Sequence, residues 1–246
     1  MGFTKKQKLH KFMATTHKWI GLIVGVQVVL WTMGGVVMSW MPIEEVRSEH
    51  KIAQSNPVVL NSFPTMLSVG ELGKLARVPI VQLSYDTLLG KPVARIMFET
   101  GGYEIRSALT GELITPISLE LAQKIAETDY APDFPVSEVI KMTENNIDYR
   151  GSLPVWRINF ADGEATSIYV SPTQARIVAR RSSNWRLFDF FWMLHIMDYE
   201  ERHDFNNPLL IIFSISALAF AISGVFLLFF RFYRRDFSFI LDRKVR

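Results

Sequence analysis

Residues 19–43 read WIGLIVGVQVVLWTMGGVVMSWMPI, and no charged residue interrupts the run between Lys18 and Glu44. A second uncharged stretch, FNNPLLIIFSISALAFAISGVFLLFF, fills residues 205–230 between Asp204 and Arg231. Each exceeds the ~20 apolar residues that carry a helix across ~30 Å of hydrocarbon. Two transmembrane helices are therefore predicted, at 18–42 and 206–230. They enclose a middle segment, residues 43–184, of ordinary globular composition. The expected fold class is an α+β membrane protein, and its function is to be sought at the membrane.

Charge sets the orientation. Residues 1–17 form a basic segment with Lys5, Lys6, Lys8 and Lys11, and Lys18 follows at the mouth of the first span. The tail, 231–246, carries Arg231, Arg234, Arg235, Arg243, Lys244 and Arg246 against two acids. Of the 27 basic and 24 acidic residues in the chain, 16 and 22 remain between these flanks, so the ends hold +9 and the middle −6. Lys and Arg within ~15–20 residues of a span stay on the cytoplasmic side. Both termini are thus expected inside and the middle outside, which in a bacterium means an inner-membrane protein with a periplasmic domain. The basic flanks are explained by topology and anionic lipid, so nucleic acid is not an expected partner. The first span is too long for the apolar core of a cleaved signal peptide and ends in Ser39-Trp40-Met41-Pro42, without a small-residue cleavage site. There is no cysteine. That excludes disulfides, Fe–S clusters, thiolate zinc, c-type haem attachment and a cysteine nucleophile.

The middle segment contains an internal repeat. Pro92-Val-Ala-Arg-Ile-Met-Phe98 and Pro154-Val-Trp-Arg-Ile-Asn-Phe160 agree at five of seven positions, 62 residues apart. A turn follows each (Gly101-Gly102; Asp162-Gly163), then a strand beginning at Tyr103 or Thr166. A second turn comes next (Leu109-Thr-Gly-Glu112; Ser171-Pro-Thr-Gln174), and then a short strand at Leu113-Ile114 or Arg176–Ala179. Alternation punctuated this way predicts antiparallel meanders. Helices are expected ahead of them: at Val69–Arg77, where Ser68 and Glu71 make a capping box, and at 117–128 and 136–144. The two units extend over about 60–116 and 117–181. Residues 185–203, rich in Phe, Trp, Leu and Met with interspersed charges, read as an amphipathic interfacial helix leading into the second span. Arg180, Arg181 and Arg186 beside Trp185 suit anchoring among lipid headgroups.

These small helix-and-meander units, ending in a Y-x-V-x-P-x-T-G-type turn and flanked by spans, resemble the PepSY-associated transmembrane proteins. Two further stretches carry the resemblance. His17-Lys-Trp-Ile-Gly-Leu22 is similar to the H-R-W-x-G-L approach to the family's first span, and Phe188-Asp-Phe-Phe-Trp-Met-Leu-His195 is similar to its L-H segment before a returning span. Larger members have four or more spans and include ferric-siderophore reductases that carry b-type haem. The resemblance implies two PepSY-like units between the spans. This chain has two spans only, and the turn at Thr173-Gln174 lacks the glycine that Thr110-Gly111 keeps.

The histidines are the candidate site residues. His17 lies at the cytoplasmic mouth of the first span, and His195 in the interfacial segment on the other side. Each is either a polar residue of the interface or an axial ligand of haem b, since imidazole ligates haem iron where no thiolate is present. Gly21 and Gly25 follow His17 at i+4 and i+8, a face that admits a flat porphyrin or a second helix. About 30 Å of bilayer separates the two histidines, so they cannot share one iron. A homodimer, or a partner membrane subunit, would complete both sites. Met193 and Met197 point away from His195 at helical spacing. His10 belongs to the solvated face of the basic segment; His50 and His203 stand among charges, and His203-Asp204 lacks a third metal ligand.

No carboxylate lies inside either span, which argues against an ion or proton pathway. Gln27, Thr32, Ser214, Ser216 and Ser223 suit interhelical hydrogen bonds. No G-x-S-x-G, Walker A or H-E-x-x-H motif occurs. Two functions follow. One is a haem-b electron-transfer protein or reductase subunit delivering electrons to ferric iron. The other is a non-enzymatic membrane-tethered module that binds or regulates a partner protein or assists assembly of a complex.

Overall fold

The computed structural model describes residues 5–54, 58–63 and 65–231. The predicted tail beyond Arg231, with its five remaining basic residues, lies outside them. The chain divides into two compact units. One comprises Pro42–Leu187, and the other joins the residues up to Met41 to those from Phe188 on.

The helical unit is built on α1 (Lys5–Trp40) and α6 (Pro208–Arg231), which pack against each other. Both are long and apolar enough to cross a membrane. Leu22, Ile23 and Val26 of α1 and Ile212, Ile215 and Leu218 of α6 are all exposed. Contiguous exposed aliphatic side chains on two such helices mark a surface that faces lipid rather than water. The buried stripe is narrow and includes Val24 and Ser223. Asn207 caps α6, its side-chain oxygen accepting from Leu210 N–H at 2.9 Å, with Pro208 in the first helical position, where its missing N–H costs nothing.

The predicted interfacial helix over 185–203 is corrected. Helix α5 covers Ser183–Ile196 and stops there. Met197 enters the left-handed region (φ 54°), and Asp198 then gathers the backbone N–H groups of Glu200, Glu201, His203 and Asp204. One carboxylate satisfying four amides holds a loop where a further turn of helix had been expected. Burial opposes ionisation of Asp198, but those four donors outweigh it and hold the carboxyl down at about 2. Within the same unit Asp189 of α5 is buried and ion-paired to Arg202, whose carbonyl accepts from the Trp192 indole at 3.0 Å.

The middle unit holds two antiparallel sheets, β1-β2-β3 and β4-β5-β6-β7. Strands β1 (Ile80–Leu88), β2 (Lys91–Phe98) and β3 (Tyr103–Ser107) follow the short helix α3 (Val69–Leu75). Strands β4 (Val136–Met142), β5 (Val155–Phe160), β6 (Ser167–Ser171) and β7 (Arg176–Arg181) follow α4 (Leu119–Asp129). The α3 capping box is present: Ser68 Oγ accepts from Glu71 N–H, and the Glu71 carboxylate accepts from Ser68 N–H.

The repeat is visible in the register. Phe98 pairs with Ile80, and a bulge follows before Gln82 pairs with Met97. Phe160 pairs with Val136, and the same bulge follows before Glu138 pairs with Asn159. Matching phenylalanines therefore end matching strands opposite matching bulges, as expected of a duplicated unit. The closing turns also coincide. Gly111 donates to Ser107 O and Ala175 to Ser171 O, both at 2.9 Å. Ala175 is thus the counterpart of Gly111, and it takes a left-handed backbone (φ 42°) although it carries a Cβ. The alignment of Thr173-Gln174 with Thr110-Gly111 suggested by sequence is therefore one residue out of step.

The helix expected at 136–144 is instead strand β4. Val136 and Val139 join the core of the second sheet, whereas Ser137 and Glu138 are exposed on the bulge. Strand β1 adds a strand that the repeat pattern does not predict. The central core draws on both halves: Val93 and Ile105 from the first sheet, Ala122, Ile125 and Ala126 from α4, and Ile158, Phe160, Ile168 and Val170 from the second. Neither half closes its hydrophobic face alone.

One polar cluster is buried in this unit. Lys51 Nζ lies 2.9 Å from Asp162, 3.0 Å from Glu164 and 2.8 Å from the Thr166 hydroxyl. Asp162 also accepts from the Tyr130 hydroxyl at 2.7 Å and from Thr166 N–H at 2.8 Å. Backbone bonds beside it, Ala53 N to Asp129 O and Ala131 N to Lys51 O, stitch the segment after α2 (Ile43–Val46) to the end of α4.

Candidate functional site

On α1, His17, Val24 and Trp31 recur every seven residues and, with Gly21, Gly34 and Gly35, face the other helices of their unit. The His17 ring stacks on Phe220 of α6, centroids 4.2 Å apart and planes 7° from parallel. Its Nδ1 is 2.8 Å from Ser223 Oγ. That hydroxyl donates its only proton to Phe220 O at 2.7 Å, so it must accept from His17. His17 therefore carries a proton on Nδ1, and in the neutral imidazole the lone pair is on Nε2. Gly224 makes room for the ring, since a Cβ there would sit 3.1 Å from His17 Cε1.

His195, on α5, reaches the same face of α1 much farther along. Its Nδ1 is 3.3 Å from the Trp31 carbonyl, and its ring centroid is 5.2 Å from that indole. A carbonyl oxygen only accepts, so His195 also carries a proton on Nδ1, and in the neutral imidazole Nε2 is the free nitrogen. Gly35 lies beneath the ring, its would-be Cβ 3.8 Å from Cε1. Fixing one imidazole nitrogen by a hydrogen bond to oxygen is how metal-ligating histidines are oriented. At 1.5 Å rise per residue, the two levels are about 24 Å apart along α1. The structure brings neither histidine to the other, and Met197 stands outside the helix.

Among the described residues no group of three His, Asp or Glu side chains is placed to hold a metal ion. His10 and His50 are exposed. His203 is exposed and lies 3.4 Å from Glu201. The arginines assigned to headgroup anchoring are committed within their own unit. Arg180 makes a two-pronged pair with Asp129, Arg186 pairs with Asp148, and Arg181 lies 4.0 Å above the Trp185 ring.

The two glycines singled out from the sequence differ. A Cβ at Gly21 would come within 2.8 Å of Phe220, whereas one at Gly25 meets nothing within 4 Å. Gly21→Ile is expected to destabilise the helix pair by about 1–3 kcal/mol, the ordinary cost of overpacking. Gly25→Ile should leave it unchanged. Thermal unfolding of both variants in detergent checks this, and equal melting temperatures would refute the packing assigned to Gly21.

The model of the PepSY-associated TM region matches residues 14–246, nearly the whole chain. This chain belongs to the PepSY-associated TM family. The match begins just before His17 and includes both apolar helices and everything between them. With two exposed apolar helices, membership makes this PepSY-associated protein a membrane protein. Searches of curated proteins and of solved structures returned no match.

Proposed function

We propose that this PepSY-associated protein is a haem-b electron-transfer subunit of the inner membrane, passing electrons outward to ferric iron. The carrying observation is the matched state of His17 and His195. Each is half-buried in the helical unit, each has Nδ1 engaged by oxygen, and each in its neutral form has Nε2 left to ligate. His17 and His195 would each hold one haem, at two separate levels of α1. The second position at each level must come from another chain, a second copy or a partner subunit, because about 24 Å of helix separates the two. When bound, haem supplies one-electron chemistry at a potential set by its ligands and surroundings. The protein's part is to hold each imidazole in one tautomer and to bury it among Phe220, Trp31 and the glycines. The basic flanks of both spans favour cytoplasmic termini and a periplasmic middle unit, which in this reading puts His195 at the outer level.

A dithionite-reduced minus oxidised spectrum of the detergent-solubilised protein, with a pyridine haemochrome assay, tests this reading. The expected result is the α-band of a b-type haem at about one haem per chain, as two haems shared by two copies require. A preparation that stays colourless after haem supplementation would move the assignment to a membrane-tethered module that binds a partner protein.

A further inference from the structure

Helix α5 is short, and its last turn carries His195. Whether that imidazole stays on the Trp31 carbonyl depends on what holds the end of the helix. Three bonds do so, all from the loop between α5 and α6. The Asp189 carboxylate pairs with Arg202, the Trp192 indole donates to Arg202 O at 3.0 Å, and Ile196 O accepts from Asn207 Nδ2 at 2.9 Å. Asp189, Trp192 and Ile196 are three and four residues apart, so the loop grips one face of α5 along about two turns. His195 projects from an adjacent face, about 100° round the helix, toward α1.

Asn207 makes the most of these ties. Its oxygen accepts from Leu210 N–H at 2.9 Å, and its nitrogen donates to Ile196 O at 2.9 Å and to Asp204 O at 2.8 Å. Both amide hydrogens are thus used. A backbone N–H only donates and a carbonyl only accepts, so the partners fix which way the amide points. One side chain starts α6 and finishes α5, satisfying one of the carbonyls that a helix leaves open at its C-terminus. The residue after Ile196, Met197, is left-handed (φ 54°), so α5 has no further turn to steady His195. The bond from His195 Nδ1 to Trp31 O is 3.3 Å long, at the far end of the range for N–H···O, and a small shift of the last turn breaks it. His17 needs no such clamp. Its partners Phe220 and Ser223 stand inside α6, against which α1 packs directly.

We infer that Asn207 is a positioning residue for His195, holding the imidazole on the Trp31 carbonyl by joining the last turn of α5 to the first of α6. The role of His195 as a haem ligand rests on the proposed function; the placing of its imidazole does not. The test is Asn207→Asp in the full-length, detergent-solubilised protein. A carboxylate still accepts from Leu210 N–H and suits a helix N-terminus, so α6 keeps its cap while both donors are lost. In the haem-free protein, at a pH where the rings are neutral, nitrogen NMR of the histidine side chains reads the tautomers, and the His17→Ala and His195→Ala proteins assign the signals. Wild-type His195 should carry its proton on Nδ1, and in Asn207→Asp it should shift toward the Nε2–H form, with His17 unchanged. In the haem-loaded protein the His195 level should bind haem about 10–100-fold more weakly, the usual loss when an orienting partner goes, and the His17 level as before. Trp192→Phe, which removes one N–H from the same clamp, should move His195 in the same direction by less. A purely structural role would lower the unfolding temperature and disturb both histidines together. That outcome, or a His195 tautomer unchanged in both variants, would overturn the assignment. A wild-type protein that takes up no haem, with His195 still responding to Asn207→Asp, would uphold the positioning and remove only the haem reading.

Discussion

Lys51→Met is expected to destabilise the middle unit by about 3–5 kcal/mol, the cost of removing one partner from a buried charge pair. Lys51 and Asp162 are both nearly inaccessible, their side chains 8% and 5% exposed. Methionine preserves the length of the stem and removes only the ammonium, so the loss reports the charge. Asp162→Ala should cost at least as much, because Tyr130, Thr166 and Lys51 all lose their acceptor. Burial alone would raise the Asp162 carboxyl, but the Thr166 hydroxyl and amide, Lys51 and Tyr130 together hold it well below the ordinary value of 3.8. A carboxyl depressed in the folded state stabilises fully above its unfolded value and loses that contribution as pH falls below it. The wild-type middle unit should therefore hold its stability down to about pH 4 and lose it progressively under more acid conditions. In Lys51→Met the carboxyl keeps only its Thr166 and Tyr130 donors, so its depression shrinks and the acid-dependent loss becomes smaller. Urea titrations at pH 7 and along an acid series measure both effects. An m-value-matched midpoint unchanged at pH 7 would show that the cluster contributes nothing.

The parts of the fold that the sequence discloses are those fixed by local or repeated chemistry. An uncharged run from Trp19 to Ile43 has one stable home, and the helices α1 and α6 follow from it. The Pro-Val-x-Arg-Ile-x-Phe match finds β2 and β5, and the shared bulge opposite their phenylalanines shows how far the likeness extends. Strand β4 was misread because Val136 and Ile140 are four apart, a spacing that fits a helix as well as a bulged strand. Ala175 was mismatched because the turn at Asp162-Gly163 is two residues longer than that at Gly101-Gly102, and because a left-handed alanine leaves no mark in sequence. Lys51 offered no signal at all: its partner stands 111 residues away. The same holds for the candidate site. The chain shows that His17 and His195 stand at span mouths, but the tautomer of each depends on Ser223, 206 residues on, and on Trp31, 164 residues back.

His17→Ala and His195→Ala should each remove half of the bound haem, and the double variant all of it. The two sites are independent because about 24 Å of α1 lies between them, beyond the range at which substitutions normally couple. Neither change should unfold the helical unit. Ser223 keeps its bond to Phe220 O when His17 is lost, and the Trp31 carbonyl remains inside α1 when His195 is lost. Equal melting temperatures of the haem-free proteins across the series would confirm that haem loss reports ligation and not damage. Ser223→Ala separates ligation from proximity. It leaves the imidazole in place but removes the oxygen that fixes its Nδ1 proton, and loss of such an orienting partner commonly costs 10–100-fold in metal affinity. Haem retention should fall at the His17 level alone, with the His195 signal intact. Full haem content in the double histidine variant would remove both residues from the site. A Ser223→Ala protein as haem-rich as His17→Ala is haem-poor would leave His17 a ligand but show that its tautomer is not what holds the iron.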